Sequence, residues 1–98
     1  MQETWYVYLL QTENDKIYTG ISPDVNARFD KHAVGKGALF TRLNKPLKVL
    51  AFKAFSSKRE AAMVEIQIKK IPRASKLSIA CLWNDERKSS PNLSNYYL

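Results

Sequence analysis

Residues Trp5 to Ile21 constrain this chain of 98 residues more than any other stretch, because they impose a β-hairpin before any helix can begin. Trp5 to Leu10 reads Trp-Tyr-Val-Tyr-Leu-Leu, a strand with apolar or aromatic residues on both faces and therefore covered on both. Glu13-Asn14-Asp15-Lys16 supplies turn formers, and Ile17 to Ile21 resumes as a second strand. The two predict an antiparallel hairpin. Period two places Tyr6, Tyr8 and Leu10 on one face of the first strand, and Lys16, Tyr18 and Gly20 on one face of the second.

The apolar period then lengthens from two to that of a helix. Ser22-Pro23-Asp24 reads as a helix start, with Ser22 as the hydroxyl cap, Pro23 at the first helical position and Asp24 in the first turn. This helix is expected to run to about Ala33, with Val25 and Phe29 toward the core and Gly35 ending it. Arg28 and His32 are four residues apart and fall on one flank. Lys36 to Pro46 reads as a basic loop, and Leu47 to Phe55 as a third strand with imperfect alternation. Ser57-x-x-Glu60 is a capping box that opens a second helix, expected to reach about Ile71 before Pro72 stops it. Ala61, Val64, Ile68 and Ile71 form its apolar stripe, with Glu65 at the margin beside Lys69. A third helix is expected over Ala74 to Trp83, burying Leu77, Cys81 and Trp83.

The order β-β-α-β-α-α predicts an α+β domain over residues 1–83, a small three-stranded antiparallel sheet flanked by helices. Residues 84–98 lose periodicity and read as a tail, with Tyr96, Tyr97 and Leu98 able to dock. Cys81 has no cysteine partner, and no Cys/His set has zinc-finger spacing, which favours a reducing, cytoplasmic compartment. A secretory signal is not expected, and no apolar run approaches the length of a bilayer span.

Charge is the compositional feature that narrows the partners. The net charge is +7, and between Lys31 and Arg59 there are eight basic residues and no acid. A field of one sign over that length suits a polyanion, or simply a solubilising surface. A monomer is assumed, and a membrane surface is not expected as partner, because no helix pairs a basic face with a broad aromatic-leucine face. Phosphate-cradling G-x-x-x-x-G-K-[ST] and G-x-G-x-x-G patterns are absent, and a single histidine argues against a zinc hydrolase or a serine-type triad.

The polar groups left over are Tyr8, Tyr18, Arg28, His32 and Glu65, on separate elements. Taken singly, each has an ordinary structural explanation: strand tyrosines pack, Arg28 and His32 sit on a helix surface, and Glu65 pairs with Lys69. Together they match the needs of phosphodiester cleavage. A phenol can orient a water or take its proton, although its free pKa of about 10 calls for help from a neighbouring group. A guanidinium can hold two phosphate oxygens. One carboxylate can hold a Mg²⁺ whose other positions are filled by waters and phosphate oxygen.

The segments Tyr6-Val7-Tyr8 and Tyr18-Thr19-Gly20, separated by a turn, resemble the two halves of the GIY-YIG nuclease motif. Arg28 follows Tyr18 by the family's helix spacing, His32 comes four later, and Glu65 stands where the family carries its metal-binding glutamate. The stretches KHAVGKGA at residues 31–38, Phe40-Thr41-Arg42 and Ile68-Lys69-Lys70-Ile71 resemble the small single-domain bacterial branch. The likeness covers roughly residues 4 to 80.

This resemblance implies a divalent-metal-dependent DNA endonuclease in DNA repair or processing, with one Mg²⁺ or Mn²⁺ on Glu65. It implies Arg28 on the scissile phosphate, Tyr8 or Tyr18 at the attacking water, and His32 in proton transfer or phosphate contact. Lys36, Arg42, Lys45, Lys69 and Lys70 would hold the nucleic-acid backbone. Selectivity is then expected to follow DNA structure (branches, nicks, single strands) more than base sequence. The chain departs from the pattern at Tyr6 and Val7, which replace the first Gly and Ile. Ile21-Ser22-Pro23 stands where some members carry a lysine, a role that His32 could take over. Asn84 lies near a late active-site asparagine of some members, but that role is not carried to it. The alternatives are a nucleic-acid-binding module with little or no turnover, and an adaptor whose basic loop meets an acidic protein.

Overall fold

A computed structural model describes residues 4–88, so Tyr96, Tyr97 and Leu98 lie outside the described residues. Two strands, β1 (Trp5–Thr12) and β2 (Ile17–Ser22), form the expected hairpin, followed by α1 (Val25–Ala33). A short α2 (Leu39–Leu43) precedes β3 (Pro46–Phe55), and α3 (Lys58–Lys69) and α4 (Arg73–Lys88) complete the chain. The sheet is antiparallel throughout, in the order β2-β1-β3, with the first strand at its centre.

The central position of β1 explains why its sequence lacks polar alternation. Val7, Tyr8, Leu9 and Leu10 are all buried, because each face of the sheet carries a layer of its own. On one face Val7, Leu9 and Ala51 pack with Ala61 and Ile68 of α3 and with Ala80 and Trp83 of α4. On the other, Tyr8, Leu10 and Phe52 pack with Val25 of α1, and Tyr6, Tyr18 and Phe29 border them. The imperfect alternation of β3 also has a structural cause. Leu9 pairs with Ala51 but Leu10 pairs with Val49, so the register shifts and Leu50 is left over as a bulge residue.

Local signals at the helix ends behaved unevenly. Asp24, not Ser22, caps α1, its carboxylate accepting from the Ala27 N–H at 3.0 Å. Ser22 instead closes a turn on Asp24, accepting its N–H and donating to its carbonyl oxygen. Pro23 is thereby displaced from the first helical turn. Ser57 caps α3 as expected, accepting from Glu60 N–H at 3.1 Å, while the Glu60 carboxylate reaches back to Ser56.

Three further expectations are corrected. The segment read as a loop contains α2, started by the extended backbone of Ala38. The last helix does not stop at Trp83 but spans Arg73–Lys88, so Asn84 to Lys88 are helical. Its buried side is Ala80 and Trp83, with Leu77 half-buried and Cys81 exposed. Leu77 and Cys81 are four apart and share a stripe; the observed seam follows Ala80 and Trp83 because α4 packs on β3 next to Leu50, whose carbonyl accepts from the Asn84 amide at 3.1 Å. Among the described residues, no helix is long and apolar enough to cross a membrane.

Candidate active site

Hairpin register brings the two tyrosines together. Tyr8 pairs with Gly20 and Leu10 with Tyr18, so Tyr8 and Tyr18 project from the same face of neighbouring strands, their rings 6.3 Å apart. Gly20 is required by this arrangement. A Cβ there would overlap the Tyr8 hydroxyl and stand 2.6 Å from its Cζ, so the phenol passes over the second strand only where no side chain exists. The Thr-Gly pair after Tyr18 is thus a packing necessity as well as a motif.

The helix α1 delivers His32 to the same face. Its Nε2 lies 3.0 Å from Tyr8 Oη, and its ring meets Tyr18 edge-on at 5.2 Å. On the far side of the imidazole, Nδ1 lies 2.6 Å from Thr41 Oγ1 on α2, and Thr41 donates to the Ala38 carbonyl oxygen at 3.0 Å. Gly37 crosses directly against the ring, where a Cβ would collide with Nδ1. Phe40 stacks on Tyr18 at 5.8 Å. Tyr8, His32 and Thr41 are only 1–2% exposed, so the string is shut away from bulk water, whereas Tyr18 is half-buried at its edge.

Electrostatics tie the remaining candidates to this string. Burial pushes the Tyr8 phenol far above its ordinary value; charge on Tyr18 and on Glu65 adds to the rise and the Arg28 guanidinium opposes it. His32 is held below its ordinary 6.5, first by burial and then by the positive charges of Arg28 and Lys31. Arg28 thus faces both groups, and among the described residues it has no salt-bridge partner that would hold it away from a ligand. Glu65 comes from α3 in the opposite layer. It and Lys69 reach past the β2 edge, with Lys69 Nζ 3.3 Å from Glu65 Oε2 and 5.9 Å above the Tyr18 ring. Tyr8, Tyr18 and His32 are thus in mutual contact, Arg28 and Glu65 lie within electrostatic reach of Tyr8, and Lys69 links Glu65 to the Tyr18 ring.

The fit to a divalent cation follows from the donor set. Among the described residues no three His, Cys, Asp or Glu side chains cluster, which excludes a protein cage of the zinc type. Glu65 engages Lys69 through Oε2, and among the described residues Oε1 has no hydrogen-bond or ion-pair partner. One such carboxylate suits Mg²⁺ or Mn²⁺, which retain waters and recruit phosphate oxygens.

The basic residues divide. Lys36, Arg42, Lys45 and Lys70 are exposed, whereas Lys69 is paired with Glu65 and lies over the Tyr18 ring. Asn84 has no free amide: it donates to Leu50 and accepts from Arg87 at 3.1 Å. The residues that sequence reasoning left without a role are Thr41, Phe40 and Gly37. Their signal was the resemblance of KHAVGKGA and Phe40-Thr41-Arg42 to the bacterial branch, in which nothing marks a threonine as buried.

A family model for the GIY-YIG catalytic domain matches residues 4–78. A UPF0213 protein of Cupriavidus pinatubonensis is 46% identical over 80% of this chain and 87% of its own length. One from Oceanobacillus iheyensis is 40% identical over 81% and 92%. The solution NMR structure of the UPF0213 protein BH0048 from Bacillus halodurans is 40% identical, with a TM-score of 0.52 over 81% of this chain and 84% of that one.

Proposed function

Because the chain belongs to the GIY-YIG catalytic-domain family, we propose that it is a metal-dependent endonuclease hydrolysing DNA phosphodiester bonds at the site formed by Tyr8, Tyr18, Arg28, His32 and Glu65. The observation that carries this reading is the convergence of these five groups from β1, β2, α1 and α3 around the Tyr8–His32 hydrogen bond. A purely structural tyrosine would not need a guanidinium and a carboxylate within electrostatic reach.

The two phenols divide the work. Tyr18, half-buried at the rim, meets the attacking water. Tyr8 stays protonated, since burial makes a free phenolate prohibitive. The water held at Tyr18 therefore loses its proton to the Tyr18 oxygen as Tyr18 passes its own to the Tyr8 oxygen and Tyr8 hands its own to His32 Nε2, and the imidazole ends with the charge. Arg28 binds the non-bridging oxygens and stabilises the charge that builds on them. Glu65 would hold a divalent cation, which would supply positive charge to offset the charge developing on the phosphate and leaving group. Lys36, Arg42 and Lys45 grip phosphates without reading bases, so selectivity follows the shape of the DNA, favouring branches, nicks or single strands.

The test is plasmid nicking with and without Mg²⁺, on the wild-type chain and on Glu65→Ala. Metal-dependent nicking that disappears in Glu65→Ala while DNA binding persists is the expected result. Salt-sensitive binding with no nicking by the wild type would leave a nucleic-acid-binding module in place of the enzyme.

A further inference from the structure

The hydrogens of the buried string can be assigned one at a time. A threonine hydroxyl has a single hydrogen, and the Ala38 carbonyl, 3.0 Å from Thr41 Oγ1, can only accept. That carbonyl also accepts the backbone N–H groups of Thr41 and Arg42, both at 3.1 Å, and with the hydroxyl donating to it as well the threonine hydrogen is committed. Toward His32 Nδ1, at 2.6 Å, Thr41 Oγ1 has only lone pairs to offer, so Nδ1 must carry the imidazole hydrogen. A neutral ring protonated at Nδ1 has a bare Nε2, and the Tyr8 hydroxyl at 3.0 Å donates to it.

From this we infer that Thr41 is a positioning residue, which fixes His32 as the Nδ1–H tautomer and so presents Nε2 as the base that faces Tyr8. Two further features hold the string in place. Tyr8, His32 and Thr41 are each at most 2% exposed, so water has no access to replace a partner. Gly37 lies flat against the ring, leaving the imidazole its present pose and no room for a side chain behind it. Burial and the charges on Arg28 and Lys31 favour the neutral ring, in agreement with the assignment. The turn from Ala38 into α2 is what sets the direction, since it places the carbonyl that takes the threonine hydrogen.

The catalytic consequence rests on the nuclease reading; the tautomer does not. The imidazole nitrogens of ¹⁵N-labelled wild-type, Thr41→Val and Thr41→Ser chains are observed by NMR at a pH where the ring is neutral, and nicking is measured beside them. The expected spectrum has a protonated, pyrrole-type Nδ1 and a bare, pyridine-type Nε2 in the wild type and in Thr41→Ser. In Thr41→Val, whose side chain cannot accept, the hydrogen should redistribute toward Nε2. Nicking should fall about 10²-fold through kcat with DNA binding retained, and Thr41→Ser should recover it.

A wild-type ring protonated at Nε2, or a Thr41→Val ring still held as Nδ1–H, would overturn the assignment. If Thr41→Val fails to fold, Thr41→Ala, whose side chain likewise cannot accept, takes its place. A wild type that shows the Nδ1–H form, lost in Thr41→Val, yet cleaves no DNA upholds Thr41 as the tautomer-setting residue and sinks the nuclease reading instead.

Discussion

Replacing Tyr8 with phenylalanine separates packing from chemistry at this site. The ring stays, and with it the contacts to Leu10, Val25 and Phe52 and the neighbouring Tyr18. Only the hydroxyl is lost, and with it the 3.0 Å bond to His32 Nε2. Since His32 is 2% exposed, Nε2 is left as a buried acceptor without a partner. Such a loss costs about 1–3 kcal/mol, and each kcal/mol lowers Tm by about 4–8 °C in a domain of this size. A domain stable by about 5–15 kcal/mol remains folded after that loss. Its nicking rate should nonetheless fall by about 10²–10⁴-fold, the usual share of a proton-transfer group. That is about 2.7–5.4 kcal/mol of barrier, and the folded fraction, still close to one, cannot account for it. The assay pairs thermal unfolding with Mg²⁺-dependent nicking well below Tm. A Tyr8→Phe chain that melts lower but nicks at an undiminished rate would refute the relay and reduce Tyr8 to a core residue.

Three other expectations are independent of that one. The His32 pKa is depressed in the fold, so its neutral form stabilises the protein fully above the ordinary value of 6.5, and this contribution is lost as pH falls through the lower folded value. Nicking needs the same neutral ring, so its acid limb should have a midpoint below 6.5; a midpoint above that value in a pH–rate profile contradicts the assigned environment. Gly20→Ala forces a Cβ into the Tyr8 hydroxyl, and overpacking of this kind costs about 1–3 kcal/mol; chemical denaturation would show it as a lower midpoint at unchanged slope, and an unchanged midpoint would mean that the phenol is free to move. Arg42→Ala and Lys45→Ala should each reduce the slope of log binding constant against log salt by about 1, equally for unrelated DNA sequences; loss of one sequence only would indicate base readout.

The hairpin, the capping box of α3 and the period of its apolar stripe were legible because they depend on residues within one or two turns of each other. Even the flaw in the β3 alternation was present in the sequence, as the trace of a bulge at Leu50. Capping by Asp24 was not legible, because Ser22 and Asp24 offer equivalent oxygens and only the backbone of Pro23 and Asp24 chooses between them. The extent of α4 was lost for a different reason. Asn84 to Lys88 are polar on nearly every side, and their helix is held by contacts with β3, such as the amide of Asn84 on Leu50 and the 3.1 Å pair between Lys53 and Glu86.

At the site, the sequence alone determined which residue types were present and on which elements they ride, since spacing along a strand or helix fixes the face of Tyr8, Tyr18, Arg28 and His32. Tertiary structure decided what those faces meet. It buried Tyr8 against His32 and left Tyr18 at the rim, brought the Glu65–Lys69 pair to the Tyr18 ring, and supplied Thr41 from a segment whose spacing predicts no helix. The physical reason is one of range. Periodicity encodes orientation within a single element, whereas a proton's position depends on the donors and acceptors that distant elements bring within 3 Å of each other.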